Sequence, residues 1–168
     1  MSVLGDKDNY ELVEIDEDHA KATAFNMLFM IWRRRTTSEA YERATPLARA
    51  LFAKFPAGIG VLQVVEVDAV PPDSEARRKF VDFLRLKGLK HYSVTHEGTG
   101  FKAASVRAIV AGGHALSRAV CEHSVHAKLS AAAAWHEQQQ HELGRHDSAA
   151  EIEFIAQAVR ELHRERYP

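Results

Sequence analysis

Three groups of residues in this 168-residue chain have types and spacings suited to chemistry. The sharpest is Ser74, preceded by Asp73 and followed by Arg77 and Arg78. A hydroxyl in the first turn of a helix would, once phosphorylated, meet unpaired backbone amides and the positive end of the helix dipole. Arg78, one turn on, could pair with the phosphate, and Arg77 less directly. Asp73 and Glu75 act against the added charge, and the plain alternative is an ordinary first-turn serine. The second group is Glu66, Asp68, His96, Gly98, Gly100 and Lys102. These fall where the strands of an α/β sheet would end, a place where such sheets hold ligands. The Gly98-Thr99-Gly100 loop with Lys102 can cradle an anion. It lacks the third glycine of a dinucleotide fingerprint and the Gly-Lys-Ser/Thr of a phosphate loop, so a simple strand–helix connection competes with it.

The third group is the ten histidines. His123 and His126 flank a short strand without an evident third ligand. His136-Glu137 followed by His141 misses the zincin spacing by one residue, which takes the two rings off a common helix face. Scattered surface histidines account for them better, and neither a metal nor a cofactor is expected. No Gly-x-Ser-x-Gly elbow is present. Cys121, the single cysteine, reads as a buried filler and cannot form an internal disulfide.

These residues need elements to position them. Residues 59–70 (IGVLQVVEVDAV) are apolar and β-branched, bounded by Pro-Ala-Gly and Pro-Pro. They predict a strand covered on both faces, in the middle of a parallel or mixed sheet. Residues 1–9 form a polar lead-in, 10–16 an edge strand, 17–21 a turn and 24–32 a second, buried strand. The Arg33-Arg34-Arg35 triplet after it reads as a solvated loop. Thr36 and Glu39 predict a capping box for a helix with Tyr41, Ala44, Leu47, Ala48, Leu51, Phe52 and Phe55 on one face, kinked or divided at Pro46. Asp73 predicts the cap of a helix running to about residue 87, with Ala76, Phe80, Val81, Phe83 and Leu84 inward. A strand over residues 90–97 places Tyr92 and Val94 inward. A helix over 101–120, with Leu116 and Val120 among its apolar positions, a weak strand at 125–129 and a helix over 131–143 follow. Ser148 and Glu151 form a second capping box, opening a helix with a narrow seam of Ile152, Ile155, Val159 and Leu162.

A chain of this length with 46% hydrophobic residues closes one sizeable core. Its formal charge of −1 supplies no global attraction to nucleic acid or to an anionic membrane. The acidic N-terminus lacks the pattern of a signal peptide, and no apolar run reaches the ~20 residues of a membrane span. A cytoplasmic protein without membrane insertion is the expectation.

The order strand, strand, helix, strand, helix, strand, helix, strand, helix, together with Asp73-Ser74 opening the helix after the central strand, resembles the STAS and STAS-like domains of sulfate transporters and anti-sigma-factor antagonists. The resemblance spans residues 10–140. Antagonists of that family carry a phosphorylatable serine in an Asp-Ser-Ser-Gly type motif at this place; here Ser74 is followed by Glu75 and Ala76, and two prolines precede Asp73. The resemblance implies an α/β fold: a mixed, mostly parallel sheet of about five strands with flanking helices over residues 10–143, plus a helical extension over 144–168. It further implies a non-enzymatic regulatory or scaffold module working through a protein partner or a homodimer and switched at Ser74. Asp73, Arg77 and Arg78 would be its contact residues. Outside the resemblance, the narrow seam of Ile152, Ile155, Val159 and Leu162 either packs back on the domain or pairs with another chain. The alternative it leaves open is a carrier or sensor of a small ligand, a lipid or nucleotide, using the strand-end crevice.

Overall fold

The valine-rich run folds as β4 (Ile59–Val65), buried on both faces and ending five residues earlier than its apolar composition suggested. It pairs in parallel with β3 (Met27–Trp32) on one side and β5 (Leu89–Thr95) on the other. β6 (Glu122–His126) continues the parallel half, while β2 (His19–Ala24) and β1 (Glu11–Ile15) add antiparallel strands beyond β3. The computed structural model describes residues 9–168, so the lead-in expected over residues 1–9 lies, apart from Asn9, outside the described residues. The result is a mixed, mostly parallel six-stranded sheet in the order β1-β2-β3-β4-β5-β6. The α/β class read from the sequence is the one observed.

The sheet has one strand more than expected. Residues 17–21 do not form a single turn: Asp16 Oδ1 accepts the amides of Asp18 and His19, and β2 begins at once. The next reversal is the two-residue turn Phe25-Asn26, where Phe25 adopts φ 56°. Side chains of β2 alternate between the two faces of the sheet, and nearly all of them are buried. Ala20, Ala22 and Ala24 face one helix layer and pack closely because they are small. Lys21 points the other way and is fully buried, which its ion pair with Glu14 at 2.7 Å permits.

Successive parallel crossovers of one hand place α1 (Ser38–Lys54), α2 (Ser74–Leu84) and α3 (Gly100–Ser117) on the same face. α4 (Leu129–Glu142) and α5 (Ala149–Arg166) cover the other. Asp73 caps α2 as expected, accepting the Ala76 amide at 2.8 Å. The capping box of Ser148 and Glu151 at α5 is complete. At α1 the cap is Thr37, one residue later than the expected Thr36, and the Glu39 carboxylate takes the Ser38 hydroxyl instead of reaching back. Pro46 sits inside an unbroken α1. α3 ends at Ser117, so Val120 lies beyond it, and both Val120 and Leu116 are exposed rather than inward. Gly113 is where α3 meets α2: a β-carbon there would stand 2.8 Å from the Phe80 ring.

The C-terminal seam closes on its own chain. Ile152, Ile155 and Val159 are buried in one cluster with Phe29, Ile31, Leu62 and Val64 of the sheet. They are therefore not a free contact surface, and residues 149–166 form half of the second helix layer. Leu162 remains half-buried on the outer side.

Candidate functional site

A cavity of about 100 Å³ opens between α2 and α3 at the carboxyl ends of β3, β4 and β5. Side-chain alternation aims Trp32, Gln63, Val65, Val94 and His96 at it from the sheet. Ala76, Arg77 and Phe80 of α2 form one wall, and Ser105, Val106, Ile109 and Val110 of α3 form the other. Val70, Pro71, Pro72, Phe101 and Lys102 rim the mouth. Phe101 is 87% exposed and Val70 57% exposed, an apolar rim facing solvent at the entrance.

Gln63 gives this apolar space its chemistry. Its Oε1 accepts from the Trp32 indole N–H at 2.9 Å and the Tyr41 hydroxyl at 2.8 Å. Two donors on one oxygen fix which end of the amide is which. Gln63 is among the residues lining the cavity, and its Nε2 group is buried and has no partner among the described residues. His96 repeats the pattern. Its Nδ1–H donates to the Val65 carbonyl at 3.0 Å, while Nε2 is buried without a partner, packed over Gly98. Buried polar atoms of this kind are few in a native fold and mark places where something else supplies the bond.

The structure divides the expected crevice residues. His96 and Lys102 line the cavity. Gly98 lets His96 lie close, since a β-carbon there would fall 2.7 Å from its Nε2. Gly100, with φ +71°, opens α3. Glu66 belongs to the opposite face, where the Arg160 guanidinium clasps it with bonds of 2.7 and 2.8 Å and Arg164 approaches at 3.5 Å. Burial would raise its carboxyl, but Arg160 outweighs that and holds it below the usual carboxylate range. Asp68 is exposed and lines no cavity. Neither acid takes part in the site, because alternation and the end of β4 turn them away from it.

Of the helix-start residues, Arg77 lines the cavity, its Nε donating to the Pro72 carbonyl. Asp73 and Ser74 are exposed beside the mouth. Arg78 is engaged within its own helix by Glu75 and Asp82. The triplet after β3 folds back on the preceding turn, Arg34 toward Glu17 and Arg35 onto Asp18.

Histidine placement corrects the surface reading for half of the ten, while His123, His141 and His146 are exposed as expected. His19, His91, His96, His136 and His163 are buried. His91 and His136 belong to a directional chain on the α4 side of the sheet. The Ser93 hydroxyl donates to His136 Nε2 at 2.7 Å, and His136 Nδ1–H donates to His91 Nδ1 at 2.8 Å. His91 Nε2–H donates to Gln140 Oε1 at 3.2 Å. The Gln140 amide donates to Asn26 and, at 2.8 Å, to Asp147. With both rings kept neutral by burial, each acceptor determines the next tautomer. Burial pushes His91 down to about 4 and His136 well below its ordinary value. Ser93 and His136 stand as nucleophile and base would, but both are sealed from solvent, and neither lines the α2–α3 cavity. The chain is a fully bonded core network. Glu14, Asp16 and His19 could geometrically surround a cation, but Lys21 and Arg43 already pair with the two carboxylates. Cys121 is buried as expected, and desolvation pushes its thiol up to about 11, away from nucleophilic character.

No family model, no curated protein and no solved structure matches this chain. No helix among the described residues is long and apolar enough to cross a membrane.

Proposed function

We propose that this protein is a non-catalytic, ligand-responsive regulatory module that holds a small molecule between α2 and α3. The observation that carries this reading is the apolar cavity whose floor presents the unpartnered Gln63 amide. Small-ligand sites are concave, largely apolar and furnished with a few convergent polar groups, which describes this one. The residues that would orient a ligand come from rigid strands, and those that would respond come from α2. Because Pro71, Pro72, Ala76 and Arg77 line the cavity, occupancy bears directly on the helix start where Asp73 and Ser74 face solvent. A STAS-like relationship and a cytoplasmic setting form part of the proposal. The run β3-α1-β4-α2-β5-α3-β6-α4 supports the first, and the single buried cysteine supports the second.

Benzene, a neutral probe of apolar space, should raise the melting temperature of the protein. Ser105→Trp, which places an indole in the cavity from α3, should abolish that rise. A melting temperature unmoved by benzene in the unsubstituted chain would refute the reading. The exposure of Ser74 in the first turn of α2 favours a second control by phosphorylation. Phosphopeptide mapping of the protein recovered from cells tests it, and Ser74 unmodified across growth conditions removes it.

A further inference from the structure

We infer that the α2–α3 cavity takes a small organic acid: a carboxyl group on an aromatic ring or a short branched chain. The inference rests on the ligand-binding reading above and specifies the occupant. Three observations converge on this class.

Size is the first. A cavity of about 100 Å³ is on the scale of one ring or a few methylenes; an apolar engineered cavity of about 150 Å³ holds benzene. A long acyl chain or a whole nucleotide exceeds it.

Charge is the second. Arg77 and Lys102 are the permanently charged side chains lining the cavity, and no aspartate or glutamate lines it. Neither cation has a carboxylate partner among the described residues: Arg77 Nε and Lys102 Nζ reach only the backbone carbonyls of Pro72 and Val67. Most nearby cations differ. Arg78 pairs with Glu75 and Asp82, Lys79 with Glu42, and Arg85 with Asp82. Two unneutralised cations beside an apolar space attract an anion and repel an ammonium group.

Hydrogen-bond polarity is the third. The Gln63 amide cannot turn over to present its oxygen, because that oxygen is held by Trp32 and Tyr41. What is left unpaired on this cavity-lining residue is N–H, which asks for an acceptor oxygen, and a charged acceptor makes the stronger bond. The apolar remainder of the ligand would lie against Val65, Val94, Phe80, Val106 and Val110.

Trp32 lines the cavity and Trp135, the other tryptophan, lies on α4, so Trp135→Phe leaves one fluorescent reporter at the site. That full-length variant is titrated with benzoate, benzyl alcohol, benzylamine and benzene. Saturable quenching or a spectral shift is expected with benzoate, weaker binding with the alcohol and benzene, and none with the amine. Gln63→Leu should weaken benzoate about tenfold, the loss of one hydrogen bond to a charged group, while leaving benzene unchanged or tighter. Arg77→Ala with Lys102→Ala should reduce benzoate binding toward that of the alcohol. Equal binding of benzoate and benzylamine would overturn the carboxylate assignment and leave the ligand-binding reading standing. Binding of benzene and alcohol without preference for benzoate would do the same. If none of the four compounds reaches Trp32, both fail. If benzoate binds but Gln63→Leu leaves its affinity intact in a folded variant, the orienting role of the amide is wrong.

Discussion

At the scale of single residues, side chains usually called polar do much of the structural work. Lys21, His91, His136 and Gln140 are buried because each has a partner of the right sign or donor polarity. For His91 this has a pH consequence. Its imidazole titrates near 4 in the folded protein and near the ordinary 6.5 when unfolded. As pH falls, the unfolded chain takes up the proton first, so stability that is full above 6.5 is lost on the way down to 4. The loss attributable to His91 is at most about 3 kcal/mol. Urea unfolding at about pH 7 and about pH 5 checks this, and equal midpoints would contradict a neutral ring. Gly113 supplies a second residue-scale expectation. Gly113→Leu drives a side chain into the Phe80 ring, which already lies 2.8 Å from where a β-carbon would be. The α2–α3 contact should open at a cost of about 1–3 kcal/mol in denaturation.

At the scale of elements, α5 is anchored at three points. Its capping box fixes the start, the Ile152-Ile155-Val159 seam fixes the face, and Arg160 fixes the register by gripping Glu66 at the end of β4. Ser148→Ala should cost about 1 kcal/mol through the lost cap, read from the denaturation midpoint. Arg160→Met should cost more, about 3 kcal/mol, because it leaves the Glu66 carboxylate in a buried place with only the distant Arg164. Adding Glu66→Gln to Arg160→Met should recover part of that loss. A double variant no more stable than Arg160→Met would show that packing, rather than the stranded charge, dominates. Arg160 also holds Glu97 at 2.7 Å, so the same substitution loosens the approach to the Gly98 loop.

For the whole molecule, the two helix layers are packed differently. The α4–α5 layer seals its face of the sheet with apolar packing and a closed hydrogen-bond network. The α1–α2–α3 layer is packed around α1 and open between α2 and α3. The proposed ligand binding belongs to the layer that leaves space, while the other layer leaves none. Removal of residues 149–168 would bare Phe29, Ile31, Leu62 and Val64 of the sheet. The truncated chain should lose cooperative unfolding and bind a hydrophobic dye, whereas a truncated chain that melts like the full one would show α5 to be dispensable.

What the sequence by itself determined is what short-range physics carries. The valine-rich strand, the α/β alternation, the Asp73 cap, the Ser148–Glu151 box and the inward faces of α1 and α2 follow from periodicity and capping chemistry within a dozen residues. β2 was legible only in its alternating alanines, which are too small to register as a hydrophobic run. The rest depended on partners far apart in the chain. Glu66 reads as a crevice acid until Arg160 closes on it, and Gln140 reads as part of a polar helix end until Asn26 and His91 meet it. Gln63 looks like a polar interruption in a strand until Trp32 and Tyr41 take its oxygen and leave its nitrogen unpaired beside the cavity. Only tertiary structure settles such cases, because burial and hydrogen-bond polarity belong to the assembled neighbourhood and not to the residue.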